Sequence, residues 1–260
     1  MHSITIIVRT SDDLTQRSMT DVVHGYRGAS IKRHATDMNA QPGLAEPAAR
    51  RDEMEASYCT LMASPHGGLL EVSPQNRQDL VTFLNERKDT LVELACVVVI
   101  VSPDEESQRN AVTLLDATVP DSLGPEQFRL LLVDCPQDTQ PESAFGQVYT
   151  YLGDKQLDGL VVPAVVCASR AFEQAQAHKL SLGALIHRAV DIEGEFAAAR
   201  TQGANEKKLH TLSRRLMAAR TVVAAAREFE RAYDLLGLPR IGKDEWLREA
   251  GASPHRAASR

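Results

Sequence analysis

No apolar run in this chain approaches the roughly 18 residues that a membrane-spanning helix requires, and the N-terminus lacks the charged, apolar and small-residue order of a signal peptide. Both absences predict a cytoplasmic protein. The four cysteines, Cys59, Cys96, Cys135 and Cys167, are far apart and form no C-x-x-C pair, which disfavours structural zinc and dithiol redox chemistry. Cys96 lies inside an apolar run and reads as core packing. The eight histidines include no H-x-x-x-H or H-E-x-x-H spacing, so no metal site is proposed by the sequence. No G-x-S-x-G marks a hydrolase elbow. Gly67-Gly68 precedes a strand and does not join a strand to a helix, so it reads as a turn and not as a dinucleotide fingerprint. Acid outweighs base: a net charge of -6 and a pI near 5.8 exclude a general attraction to nucleic acid or anionic membrane, leaving only local basic patches.

What remains is a chain of 260 residues, 43% hydrophobic and 25% charged, enough for one large α/β domain and a helical tail. Strand-like segments at Ile4-Val8, Ser30-Ala35, Gly68-Val72, Leu94-Val101, Phe128-Val133 and Gly159-Val162 alternate with helical patterns. The run from Cys96 to Val101 belongs at the centre of a sheet buried on both faces. Helical stripes recur at Met19, Val22, Val23 and Tyr26, at Leu80, Phe83 and Leu84, and at Ala111, Leu114 and Leu115. Pro103-Asp104-Glu105-Glu106 opens a helix with acids facing its dipole. The fold class is therefore a three-layer α/β arrangement, a mostly parallel twisted sheet with helices on both faces and a long C-terminal helix. Residues 1-200 form the domain, with a loosely packed, helix-containing insertion at about 41-64; residues 201-250 form a helical extension and 251-260 a disordered tail. In the extension, Leu209, Leu212, Leu216, Val223, Phe229 and Tyr233 make a stripe that packs on its own domain or on a partner.

The chemistry concentrates at Asp12-Asp13-Leu14-Thr15-Gln16-Arg17-Ser18, between the first strand and the first helix. A phosphate-binding loop occupies that position in nucleotide-binding folds, with glycines whose N–H groups turn inward, a lysine, and a Ser or Thr for Mg²⁺. Here the glycines are absent, and residues with β-carbons resist the positive φ angles of such a loop. Asp12 and Asp13 would also repel a triphosphate. Another reading of the segment is a self-capped helix, with Ser11 as N-cap and Asp12 and Asp13 in the first turn taking the place of phosphate.

In the order of its motifs the chain resembles the ParA/MinD family of deviant Walker ATPases, over roughly residues 3 to 190. That family's first strand leads to K-G-G-x-G-K-[ST], which sets Asp12 at the signature lysine, Arg17 at the phosphate lysine and Ser18 at the Mg²⁺ hydroxyl. Its second strand ends in D-x-D-P-Q, similar to Asp37-Met38-Asn39-Ala40-Gln41, and its third strand ends in an acid, where Glu71 stands. Ser102-Pro103-Asp104-Glu105-Glu106-Ser107 resembles its P-x-x-x-S segment. Asp134 stands where the family has an Asn against the base, and Val161-Val162-Pro163 with a helix from Ala168 to Ala177 resembles its closing base region. The resemblance implies a vestigial phosphate site at Asp12, Asp13, Gln16, Arg17 and Ser18, vestigial catalytic positions at Arg17, Asp37 and Glu71, and a base site at Asp134 and Pro163. Mg²⁺, if bound, would fall to Ser18 and Glu71.

Every chemically demanding position departs from the family pattern while the frame is kept. The expected function is thus a non-hydrolysing adaptor or positioning factor in plasmid partition, conjugation or placement of a bacterial assembly, acting without a cofactor through a protein partner or homodimer. One alternative is an atypical ATPase using Arg17 and Ser18 with ATP and Mg²⁺. Another is an unrelated α/β enzyme with its ligand at the carboxyl ends of the strands. Lys207, Lys208, Arg214, Arg215 and Arg220 make the long helix locally basic, which is either a DNA-binding face or a solvated face paired with neighbouring acids.

Overall fold

Runs of apolar residues become five strands of one sheet, and the polar Lys32–Ala35 an edge strand of it. The computed structural model describes residues 4–27, 31–36, 47–119, 123–158, 161–177 and 182–238. It divides into two units: Met1–Thr20, Ser30–Ala168 and Asp234–Gly237 form the first, and Asp21–Ala29, Ser169–Tyr233 and Leu238–Arg260 the second.

Along the chain the elements of the first unit are β1 (Ile4–Arg9), the start of α1 (Leu14–Arg27), β2 (Lys32–Ala35), α2 (Pro47–Met62), β3 (Gly68–Val72), α3 (Arg77–Arg87), β4 (Leu94–Val101), α4 (Glu105–Thr118), β5 (Phe128–Cys135), α5 (Pro141–Ala144), α6 (Gly146–Asp154) and β6 (Ala164–Cys167). The six strands make one parallel sheet in the order β2-β3-β1-β4-β5-β6. β1 and β4 are its middle strands, as the β-branched run of β4 predicts. Ile4, Ile6, Val8, Leu70, Val72, Val97, Val99 and Val101 enter one core cluster with residues of α2, α3, α4 and α6. The alternate residues Ile7, Leu69, Val98, Ile100 and Leu131 are equally buried, so both faces of the sheet are covered. Met54, Tyr58 and Leu61 of α2, spaced at helical intervals within the segment expected to pack loosely, lie in the same core. Gly67 takes φ 73 in the turn before β3, as its sequence context predicts.

The last strand lies further along the chain than expected. β6 spans Ala164–Cys167, and Val161 and Val162 precede it; residues 159 and 160 are outside the described set. Pro163 explains the shift, because it has no N–H for the ladder with β5 and strand pairing begins at Leu131↔Ala164.

The second unit is helical: α7 (Ala171–Ala177), α8 (Leu182–Thr201) and α9 (Glu206–Leu236). The turn between α8 and α9 places Gly203 at φ 66, and Ala204 N–H closes back on Ala199 O (3.0 Å), satisfying a carbonyl at the end of α8. Asn205 then caps α9 through Lys208 N–H (2.9 Å). Ile192, Leu216 and Ala219 pack together with Phe196. Tyr26 stacks on Tyr233 (5.1 Å) and Phe172 on Phe229 (5.3 Å). The buried face of α9 uses Leu212, Leu216, Val222, Phe229 and Tyr233; Val222, not the expected Val223, points inward. Among the described residues no helix is long and apolar enough to cross a membrane.

Candidate functional site

β1 has β3 on one side and β4 on the other, while the chain reaches β3 only after laying β2 beyond it. The carboxyl end of β1 is therefore a switch point, the position at which open α/β sheets place their ligands. Residues 10 to 13 leave the sheet there and enter α1.

The loop is filled by a side chain. Gln16 is fully buried, and its Oε1 accepts the backbone N–H of Thr10 (2.8 Å) and of Ser11 (3.1 Å). Two successive N–H groups converging on one oxygen form the type of concavity that elsewhere holds an anion. The Gln16 amide donates in the opposite direction from Nε2, to Ser102 Oγ (2.9 Å), Thr10 Oγ1 (3.1 Å) and Ser107 Oγ (3.2 Å). Thr10 Oγ1 donates to Ile100 O (2.7 Å), Ser107 Oγ accepts from Ser102 N–H (2.8 Å), and Asn110 Nδ2 donates to Thr10 O (3.1 Å). The first turn of α4 is thus sewn to the loop after β1.

The start of α1 differs from the sequence expectation. Asp13, not Ser11, is the residue that caps it: its Oδ1 accepts Gln16 N–H at 2.7 Å, and the helix begins at Leu14. Neither acid lies in the first turn. Asp13 Oδ2 also accepts from Ser102 Oγ (2.7 Å) and from Ser11 Oγ. The spacing Asp13-x-x-Gln16 is that of a capping box, but the Gln16 side chain reaches past the cap to the two residues before it.

A second layer is ionic. Arg9, the last residue of β1, is fully buried, with Nη1 on Asp12 Oδ1 (2.6 Å) and Nε on Glu71 Oε1 (3.0 Å). Glu71 is 4% exposed and takes a second guanidinium from Arg33, whose Nε lies 3.0 Å from Oε2. Arg17 is half exposed and places Nη2 2.5 Å from Asp12 Oδ2. The Arg17 guanidinium, with Arg9 behind it, holds the Asp12 carboxyl below its ordinary range against a smaller opposing effect of burial. Three arginines, Arg9, Arg17 and Arg33, share two carboxylates, Asp12 and Glu71, while Asp13 beside them is held by N–H and hydroxyl donors.

The remaining candidates are scattered around this centre. Ser18 is half-buried one turn into α1. Asp134, next to last in β5, has φ 57, a left-handed conformation that Asp tolerates, and Pro163 is half-buried just before β6. The expected helix from Ala168 begins at Ala171. Asp37, Asn39 and Gln41 lie outside the described residues; the chain is described up to Thr36, whose N–H bonds to Glu71 O (2.9 Å). Arg9, Arg33, Thr10 and Asn110 were not singled out by the sequence. A polar residue ending a buried strand was the available signal for Arg9.

On α9, Lys207, Lys208, Arg214 and Arg220 are exposed and Arg215 is half-exposed. Arg220 pairs with Glu193 (2.8 Å) and Arg215 with Glu195 (3.8 Å), both across to α8.

No family model matches the sequence, and no curated protein matches it. Among solved structures the chain is similar to the MinD cell division protein of Aquifex aeolicus, with a TM-score of 0.45 and 8% identity, covering 92% of this chain and 100% of that one.

Proposed function

We propose that this chain is a non-hydrolysing binding protein of ParA/MinD-like descent, an adaptor or positioning factor whose strand-to-helix loop is held by its own side chains. The observation that carries this reading is the Gln16 amide oxygen seated on the N–H groups of Thr10 and Ser11. A phosphate oxygen entering that concavity would have to displace a buried side chain that makes several further hydrogen bonds. The neighbouring positions are engaged in the same manner. Arg17, the counterpart of a phosphate lysine, is paired with Asp12, and Glu71, the counterpart of a Mg²⁺ acid, is enclosed by Arg9 and Arg33. The ordered motifs of the sequence support the descent; the self-supplied contacts support the loss of nucleotide dependence.

On this reading the protein acts through a protein partner or a second copy of itself, in partition, conjugation or the placement of an assembly. A protein partner is favoured over DNA because Arg215 and Arg220, two of the five basic candidates, are already paired with acids of α8, and the chain is acidic overall. The test is phosphate release from ATP by the purified protein beside Arg17→Ala and Glu71→Ala. The expected rate is the same for all three and equal to the buffer blank. Release by the wild type that both substitutions abolish would establish the ATPase alternative.

A further inference from the structure

Cys135 and Cys167 are distant in the sequence, but the fold sets them side by side. Cys135 is the last residue of β5 and Cys167 the last of β6, and the two are Cα partners in the parallel ladder. That pairing depends on an irregularity. Leu132 stands opposite Val165, so regular pairing would set Cys135 against Ala168; instead the register shifts after Leu132, leaving Val133 and Asp134 against the single residue Val166. Asp134, at φ 57, lies in this bulge. The extra residue reverses the alternation of side chains, so Cys135 joins Leu130 and Leu132 in the core on one face of the sheet. Val165 packs against that same core, and Cys167, two residues on, shares its face. Ala168 N–H donates to Cys135 O (2.7 Å), which fixes the two backbones to each other at this point.

Partners on neighbouring strands lie about 4.8 Å apart, inside the range of about 4.4–6.8 Å between Cα atoms that a disulfide spans. The two thiols differ in access: Cys135 is buried, whereas Cys167 is half-buried. The Cys135 thiol donates to Pro136 O and Thr139 O at 3.8 Å, weak contacts that a change of rotamer can give up. We propose that Cys135 and Cys167 form a modification site, a dithiol that closes reversibly to an intrachain disulfide by exchange with a small disulfide of the glutathione type. The Cys167 thiolate attacks one sulfur of that disulfide; a mixed disulfide forms, and the first small thiolate leaves and takes up the proton that Cys167 lost. Cys135, deprotonated in turn, attacks the Cys167 sulfur and expels the second small thiol. Two protein thiols are thereby oxidised, and one small disulfide is reduced to two thiols. The new bond ties β5 to β6 at the carboxyl end of the sheet, beside Asp134. It does not depend on the function proposed above.

The test starts from the fully reduced full chain, exposed to mixtures of glutathione and glutathione disulfide at about pH 8, where thiolate is populated. The reaction is quenched with acid, the remaining thiols are alkylated after denaturation, and the peptides are read by mass spectrometry. In the wild type, Cys135 and Cys167 are expected to lose their thiols together, in peptides joined by a disulfide that dithiothreitol reverses. Exposed Cys59 should stop at the mixed disulfide with glutathione, and buried Cys96 should stay a thiol. In Cys135→Ser, Cys167 should likewise stop at the mixed disulfide; in Cys167→Ser, modification of buried Cys135 should slow by roughly tenfold or more. The wild-type result decides the matter even if a variant fails to fold. A wild type in which Cys167 keeps glutathione while Cys135 remains a thiol, linkage of either residue to Cys59 instead, linkage that forms only in urea, or no reaction at Cys167 overturns the proposal.

Discussion

Arg9 and Arg77 stand at the carboxyl ends of neighbouring parallel strands, one closing β1 and the other opening the helix after β3, yet their surroundings are opposite. Arg9 is fully buried and has two carboxylates on it, and the loop beside it has an internal acceptor for each of its first two N–H groups. Arg77 is half-exposed, has one backbone carbonyl as a hydrogen-bond partner, and leaves Nη1 without any. A charge taken into a protein interior needs a partner of its own or a ligand to supply one. At Arg9 the chain supplies two carboxylates, although Nε still lacks a well-formed hydrogen bond; Arg77 stays half-exposed, with Glu106 as the acid that acts on it.

The largest effect is expected from removing the acid that joins Arg9 and Arg33. Glu71→Leu leaves a fully buried guanidinium short of its anion, which should cost about 3–5 kcal/mol of stability in urea unfolding. It also leaves Arg9 with Asp12 as its remaining carboxylate. Retention of full stability by this variant would show that the ionic layer is not what holds the loop.

Gln16→Ala comes next. It leaves the buried N–H groups of Thr10 and Ser11 unmet, at about 1–3 kcal/mol each, for a total of about 3 kcal/mol once water enters the vacated space. The same variant opens the concavity, so it should gain weak affinity for inorganic phosphate that the wild type lacks, measured by calorimetry. Asp13→Ala removes the cap of α1 and should cost about 1–2 kcal/mol, with Asp13→Asn recovering most of the loss.

The smallest effects belong to Asp12 and Arg17. Their pair is half exposed, so solvent screening limits Arg17→Ala to about 0.5 kcal/mol. Because the folded-state pKa of Asp12 is depressed, its contribution is complete above the unfolded value, 3.8, and is lost as pH falls through the lower folded value. The stability difference between wild type and Asp12→Asn should therefore be present at pH 6 and shrink as pH falls below 3.8, followed by urea midpoints. A difference that grows on acidification would contradict the assignment.

The centre of the sheet was legible because its strands are apolar on consecutive positions: Gly68–Val72 and Leu94–Val101 fall where the sequence placed them. A long C-terminal helix was legible for a related reason, a sustained helical stripe; the extension was expected over 201-250, and α9 spans Glu206–Leu236 with Gly237 at φ 64 just beyond it. β6 was misplaced because Val161-Val162 carries the β-branched signal while Pro163 controls where pairing can begin. The site was legible only as a departure from a motif. That Asp12 to Ser18 is poorly built for polyphosphate followed from side-chain sterics and charge. That Gln16 fills the loop did not, since its partners Ser102 and Ser107 are 86 and 91 residues away in sequence. Nor could the charge balance be read, because Glu71 meets Arg9 and Arg33 only after the sheet has set β3 between their strands.

The central claim is that the loop after β1 is complete without a nucleotide. Calorimetric titration of the purified protein with Mg-ATP and Mg-GTP tests it most directly. The account predicts no saturable heat up to millimolar nucleotide, for the wild type and for Arg17→Ala alike. Micromolar binding by the wild type that is lost in Arg17→Ala would contradict it.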